Sequence, residues 1–395
     1  MAKYAEAWDS KTTWHRFWIL AVSLSIATGK GIAPILPSLQ KTFGHYPVTL
    51  INMVATVQQI PALIVLLFSS RLANRFGIKK VIGTGLAIMG VAGILPAVIN
   101  DFWLIFASRL LFGVGIGLTN SLAITLIDFF YEGNDQAQML GNRTAFEPIG
   151  LCIVNLTVGW LLTFSWHYSF LAYGLMFLIL WGFWQVVPEY PHRNQPTPHQ
   201  IQHPRQWHRL SWPIIEFALY CGILTVGMSV VNVYTPYLVL SHRMGSAMVA
   251  SVVITAYTIF SMLMGFLFGV IFKYIHRYVF ILGLFMMALG ALLMNSASQL
   301  YLLVIAVILI GFSYPLAGTY LFNTIANRVP KRSAGIANSI LLVGCNAGTA
   351  LAPALISLFN TLTPGPATDG GIGLYGLLML GLTVVSLPIV LRKRN

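Results

Sequence analysis

Residues 300–323 read LYLLVIAVILIGFSYPLAGTYLFN, an unbroken stretch without one charged side chain. As a helix at 1.5 Å per residue it would reach ~36 Å, enough to cross a hydrocarbon core of about 30 Å. Lipid offers no hydrogen-bonding partner, so a crossing chain must satisfy its own backbone, as an α-helix or within a closed barrel. The run is continuously apolar and lacks the two-residue alternation of a barrel strand, so it reads as a helix. Working outward, eleven further segments read the same way, and the twelve spans fall at about 15–38, 48–70, 79–99, 102–124, 141–163, 168–188, 212–238, 247–272, 276–295, 300–323, 335–360 and 372–392. The expected fold class is an all-α membrane protein of twelve transmembrane helices in two pseudo-symmetric six-helix bundles. Residues 1–188 form the first bundle, 189–211 a linker and 212–395 the second.

Composition agrees. The chain of 395 residues is 57% hydrophobic and 8% charged, whereas soluble domains carry roughly 25% charged residues. The net charge of +13 raises the possibility of a nucleic-acid partner, but its placement removes the need for one. With the N-terminus inside, 19 of the 23 Lys and Arg fall in the inner segments (loops, tails and the inner ends of spans), Lys41 and Arg243 fall in outer loops, and Lys30 and Arg109 fall deep within spans. Both termini are therefore expected in the cytoplasm of a multi-pass protein of the plasma or inner membrane. The partners expected are the bilayer, a small-molecule substrate and protons, with a monomeric chain. The first apolar run is too long for a cleavable signal and is kept as span 1. Cys152, Cys221 and Cys345 all lie in apolar runs and read as buried thiols.

The two halves look related. Gly85 matches Gly283 and Gly113 matches Gly311 at an offset of 198; Pro37 matches Pro236 at 199; Gly141 matches Gly335 and Gly150 matches Gly344 at 194. Parallel repeats of this kind place a binding site near the midplane, at the repeat interface.

Four local patterns carry a resemblance. Span 1 ends Gly29-Lys-Gly-Ile-Ala-Pro34-Ile-Leu-Pro37. The loop after span 2 reads Ser70-Arg-Leu-Ala-Asn74-Arg75-Phe-Gly77-Ile-Lys79-Lys80. Span 4 holds Arg109-Leu-Leu-Phe112-Gly113, and span 5 holds Gly150-Leu-Cys-Ile-Val-Asn155-Leu-Thr-Val-Gly159. In these the chain resembles the major facilitator superfamily, with its loop signature G-x-L-A-D-R-x-G-R-K and the span 4 pattern R-x-x-Q-G, and within it the twelve-helix drug/proton antiporter branch, marked by G-x-x-x-G-P-x-x-G-G in span 5. It departs from them at Ser70, Asn74, Phe112, Val154, Asn155 and Val158. The resemblance implies alternating-access transport, and a gate in which Arg75, Gly77 and Lys79 of the loop act with Asp128 at the inner end of span 4.

Candidate substrate contacts follow from polar residues inside spans. Lys30 lies ~12 Å below the outer end of span 1 and Arg109 ~11 Å below that of span 4, so two cations sit at one depth, suited to a carboxylate or phosphate. The structural alternative has Arg109 tying helices through carbonyls and Lys30 snorkelling outward. Gln58, Gln59, Asn155 and Asn232 fall at similar depth, and Tyr234, Tyr257 and Tyr314 could stack a substrate. Glu147, ~24 Å down span 5, is the proton-coupling candidate; the alternative pairs it with Arg143, one turn earlier. No cofactor and no metal are expected, because prolines interrupt the histidines of the linker. No H-E-x-x-H and no phosphate-cradling G-x-x-x-x-G-K-[ST] is present, so neither a membrane enzyme nor an ATP-driven pump is expected. The expected function is proton-coupled efflux of hydrophobic or amphipathic compounds by a secondary active transporter, with transport of a small organic anion through Lys30 and Arg109 as the alternative. A non-transporting receptor is the reading from another class.

Overall fold

The computed structural model describes residues 12–188, 212–328, 331–363 and 370–392. The linker at 189–211 and the outermost basic residues of both tails lie outside the described residues. Twelve helical segments follow in order. Span 1 is Thr13–Leu24 continued, after a bend of 50°, by Thr28–Thr42. Span 2 is Val48–Met53 with Gln59–Phe76, and spans 3, 4 and 5 are Ile78–Ile94, Phe102–Phe130 and Gly133–Leu161. Span 6 is Trp166–Val186. Spans 7 to 12 are Trp212–Ser241, Ala247–Ile275, Tyr278–Ser296, Leu300–Arg328, Lys331–Leu362 and Gly370–Arg392. Ten of these are each long and apolar enough to cross a bilayer, and the bent span 1 makes eleven. Span 2 completes the twelve; its long piece carries Gln59, Arg71 and Arg75, which dilute its apolar character. The all-α reading holds, with no strand among the described residues.

Spans 1 and 2 differ from the continuous helices expected. In span 1, Ser25 Oγ donates to Val22 O and Thr28 Oγ1 to Ser25 O, each at 2.7 Å, while Thr28 N and Lys30 N bond three residues back. Hydroxyls bonding preceding carbonyls loosen the α ladder. Gly29 and Gly31 add backbone freedom, and Pro34, inside the 3-10 segment, has no N–H to give.

By contacts the chain divides into two units, Met1–Ile32 with Val57–Gln202, and Ala33–Thr56 with His203–Asn395. The segment Ala33–Thr56 goes with the second because its polar side chains bond there. Tyr237 OH donates to buried Asn52 Oδ1 at 2.8 Å, Thr49 Oγ1 donates to Ser357 Oγ at 2.7 Å, and Thr56 Oγ1 donates to Ala350 O at 3.3 Å. The units share one internal plan. In the first, span 3 packs on 4, 2 on 4, 1 on 5 and 3 on 6; in the second, span 9 packs on 10, 8 on 10, 7 on 11 and 9 on 12.

The matched glycines do the same job in each. A Cβ on Gly85 would press on Gly115 O and Thr119, and one on Gly283 on Ser313 O and Ala317. A Cβ on Gly113 would overlap Gln58 O, and one on Gly311 would come 3.1 Å from Tyr257 O. A Cβ on Gly150 would overlap Leu24 O, and one on Gly344 would overlap Ala218 O. Lipid tails give no hydrophobic drive for helices to associate, so close backbone approach through small residues supplies the packing. The outer faces are apolar, with Val384 64% and Phe266 63% exposed. Surfaces so large and greasy fit lipid.

Candidate functional site

Within Thr28–Pro37 every residue is buried except Lys30, which is half-exposed. Local geometry explains why. In a 3-10 segment successive side chains leave about 120° apart. The Gly29 direction is closed by the Gln58 side chain of span 2, and the Gly31 direction by Val154 Cγ1 of span 5, 2.6 Å from where a Cβ would stand. Lys30 takes the third direction, covered by neither. Asn155, whose backbone N lies 3.6 Å from where a Cβ on Gly31 would stand, is fully buried, and neither its Nδ2 nor its Oδ1 has a hydrogen-bond partner among the described residues. A buried amide of this kind is a ready contact for a bound polar group or water. Gln58 is likewise fully buried, and Gln59 beside it is half-exposed at the start of the long piece of span 2. The structure thus brings Lys30, Gln58 and Asn155 together around one helix break.

Arg109 is placed differently from the expectation that it shares a floor with Lys30. It is fully buried, and its Nη2 donates to Ala92 O at 3.2 Å and to Gly93 O at 3.4 Å. Its guanidinium lies 5.0 Å from the Phe112 ring centre, 5.4 Å from Phe170 and 4.9 Å from Tyr173. Three ring faces hold the charge that lipid would otherwise penalise. This cage is the helix-tying arrangement of the structural alternative, and it reaches the Lys30 break indirectly. Tyr173, backed against Gly93, donates its hydroxyl to Thr28 O at 3.1 Å, a carbonyl at the bend. The variant Tyr173→Phe keeps the ring and loses that bond. We expect a stability loss of about 1 kcal/mol, read as a lowered Tm in detergent; an unchanged Tm would remove Tyr173 as a support of the bend.

In the second unit, Asn232 donates Nδ2 to Met228 O at 2.8 Å, while its buried Oδ1 has no partner among the described residues. Ser229 and Thr235, at three-residue spacing from Asn232 on the same helix, are buried with hydroxyls that have no partner among the described residues, and so are Thr255 and Tyr257 of span 8. Tyr234 lies 6.4 Å from Tyr237 with the two rings tilted by 47°, and the Tyr314 hydroxyl lies 3.6 Å from Cys345 Sγ. Tyr234 and Tyr257 are thus buried in the unit, Tyr314 is half-exposed, and Ser229, Asn232 and Thr235 form a polar stripe on span 7.

Comparison with known proteins decides the family. The family model described as Major Facilitator Superfamily matches residues 18–353 and again 217–395. The chain belongs to the major facilitator superfamily. Among solved structures, this superfamily member superposes on the nucleoside transporter NupG with a TM-score of 0.76 at 14% identity, covering 96% of this chain and 100% of that one. On the inward-open xylose transporter XylE from E. coli the TM-score is 0.74 at 16% identity, over 94% of each chain. At such identities the likeness is one of fold. Curated relatives match over shorter stretches. The niacin transporter NiaP of Acinetobacter baylyi is 28% identical over 123 residues, 31% of this chain and 28% of that protein. The multidrug transporter mfsC of Aspergillus fumigatus is 32% identical over 120 residues, 30% and 23% of the two chains. The arabinose-proton symporter of Bacillus subtilis is 29% identical over 136 residues, 31% and 28%. The chain thus spans about a quarter of the length of each of these relatives. The chain is thus a multi-pass membrane protein of a superfamily of transporters.

The loop signature of this superfamily member is built around Gly77, whose φ of 97° only glycine adopts without strain. It ends span 2, its N–H bonding Ala73 O at 2.8 Å, and opens span 3. The pairing of Arg75 with Asp128 that the resemblance implies is not made in this structure. Asp128 Oδ1 accepts from Gln136 Nε2 at 2.8 Å, Arg75 lies 5.4 Å over the Phe76 ring, and the two form no ion pair among the described residues. Gln136, across the short turn between spans 4 and 5, reaches the carboxylate instead. Lys79 donates to Trp184 O at 2.7 Å and so joins span 3 to span 6. The alternative partner for Glu147 is also absent. Arg143 donates to Asn120 Oδ1 at 2.8 Å and Asn120 O at 3.4 Å, leaving Glu147 half-buried beside Pro148 with no ion pair among the described residues.

Sequence reasoning missed Tyr173, Phe170 and Thr28, which seat Arg109 and the bend, and Asn52 with Tyr237. The Gly-Lys-Gly run followed by Pro34 was a usable signal for the break. Nothing local marks Tyr173 as a partner of Thr28.

Proposed function

We propose that this transporter is secondary active and carries a small organic anion across the plasma membrane, with both termini cytoplasmic, Lys30 meeting the anion and Glu147 carrying the coupled proton. One observation carries the reading: Lys30 is the single unburied residue of Thr28–Pro37, at a break lined by Gln58 and Asn155. A charge at the centre of a span costs roughly 2.5–3.5 kcal/mol by insertion scales, and it is tolerated where water or a counter-ion reaches it. A substrate carboxylate is such a counter-ion, with amide groups nearby to orient it. Arg109, enclosed by rings, takes no direct part in this scheme and acts through Tyr173.

The test is counterflow in proteoliposomes under an imposed pH gradient, with a panel of labelled carboxylic acids against a cationic dye. Niacin, named in one relative, belongs in the panel. Anion movement without dye movement supports the reading; dye efflux without anion movement overturns it in favour of proton-coupled efflux of amphipathic compounds. That second reading is favoured by the match to a multidrug transporter. The proton role has its own expected outcome. In Glu147→Gln the pH gradient no longer drives accumulation while exchange of labelled for unlabelled substrate continues; accumulation that still follows the gradient would exclude Glu147.

A further inference from the structure

Away from the Lys30 break, the first unit carries a groove of about 830 Å³ on its flank, open along one side. Its floor is span 3 at Gly83, Thr84 and Ala87, and its walls are Phe177, Trp181 and Trp184 of span 6. Small residues on one helix facing large rings on the other carve the hollow. At Gly83 even a methyl group would stand 2.7 Å from the Trp184 ring. Trp181 is 63% exposed and Trp184 49%, so these walls face the surroundings of the bundle. Apolar residues exposed within a span face hydrocarbon.

One end of the groove is charged. Lys79 stands at the start of span 3, its Nζ bonded to Trp184 O at 2.7 Å and 5.2 Å over the Trp184 ring. The carbonyl holds the ammonium in place and leaves its charge intact. Lys80 follows, exposed, and Arg75 is exposed one turn before the helix begins. An apolar trough with a basic end is the chemical shape of a phospholipid in one leaflet, with acyl chains along the trough and a phosphate at the cations. Its volume lies within the roughly 300–1,000 Å³ range of sites that bury a bound molecule.

We propose that this groove between spans 3 and 6 binds an anionic glycerophospholipid, its acyl chain over Ala87, Phe177 and Trp181 and its headgroup phosphate at Lys79 and Lys80. The charge selects an anionic headgroup over a zwitterionic one. The lateral opening selects a molecule that arrives from the bilayer over a soluble phosphate.

The test is native mass spectrometry of the full chain, purified in detergent and equilibrated with equal phosphatidylglycerol and phosphatidylcholine. Two lysines near a headgroup correspond to a preference of roughly thirty-fold for the anionic lipid. The double variant Lys79→Gln with Lys80→Gln should bind both lipids equally. Ala87→Phe fills the trough and should retain neither, and Trp181→Ala, at an exposed position, should weaken both should Ala87→Phe fail to fold. Monodispersity and Tm of each variant verify folding. Anionic preference persisting in the double lysine variant, or undiminished retention in both trough variants, overturns the proposal. Displacement of phosphatidylglycerol by millimolar inorganic phosphate overturns it too, since that would mark a soluble-anion site.

Discussion

Lys30→Ala abolishes anion transport and leaves a folded, membrane-inserted protein. The folding half of this expectation rests on local packing. Gly29 and Gly31 make the tight contacts to Gln58 and Val154, while Lys30 is the one residue of the segment that stays half-exposed. Removing a charge from a span also eases insertion. The functional half rests on charge-assisted hydrogen bonding, worth about 1.5–3 kcal/mol, so loss of the ammonium should weaken anion binding by roughly ten- to a hundred-fold. Lys30→Arg keeps the charge on a wider head and should retain partial transport with a raised KM. Initial rates in proteoliposomes, normalised to reconstituted protein, give the answer. Wild-type rates in Lys30→Ala would end the assignment.

Gly150→Ala should destabilise the protein sharply, and Gly265→Ala should not. At Gly150 an added Cβ overlaps the Leu24 carbonyl, a backbone atom that no rotamer change can move. Overpacking of a close-packed interface costs about 1–3 kcal/mol, and two helix backbones forced apart put this case at the top of that range. Total stabilities are roughly 5–15 kcal/mol, so expression and Tm both fall. Gly344→Ala, overlapping Ala218 O at the matching crossing of the second unit, should behave alike. At Gly265 an added Cβ meets nothing within 4 Å, and the change gains helix propensity worth up to about 1 kcal/mol. Tm from intrinsic fluorescence distinguishes the pairs. Equal behaviour of Gly150→Ala and Gly265→Ala would contradict the packing account.

The contrast between axial and angular information explains what could be read from residues alone. Apolar run length is an axial quantity, and it located span 9 at 276–295 against the observed Tyr278–Ser296. Repeated glycines were legible because the same backbone approach recurs at nearly constant spacing, as Gly113 and Gly311 show. Depth counting put Lys30 and Arg109 level but carried no angle around the helix. The angle is set by Phe170 and Tyr173, more than sixty positions further on, which close over Arg109. Asn52 and Tyr237 meet from 185 positions apart, and no pattern within either segment announces it. The break at Lys30 was the opposite case: its glycines, hydroxyls and proline were all in view, but hydropathy over a window of twenty residues averages them away.

The most direct measurement of the central claim is equilibrium binding of a carboxylic acid and its uncharged primary amide to the purified transporter, in wild type and in Lys30→Met. The pair differs chiefly in the charge that Lys30 is proposed to meet. The expected result is at least tenfold tighter binding of the acid by wild type, with that difference lost in Lys30→Met. Equal binding of acid and amide by wild type, or an acid preference that survives Lys30→Met, would contradict the assignment of Lys30 as the anion's partner.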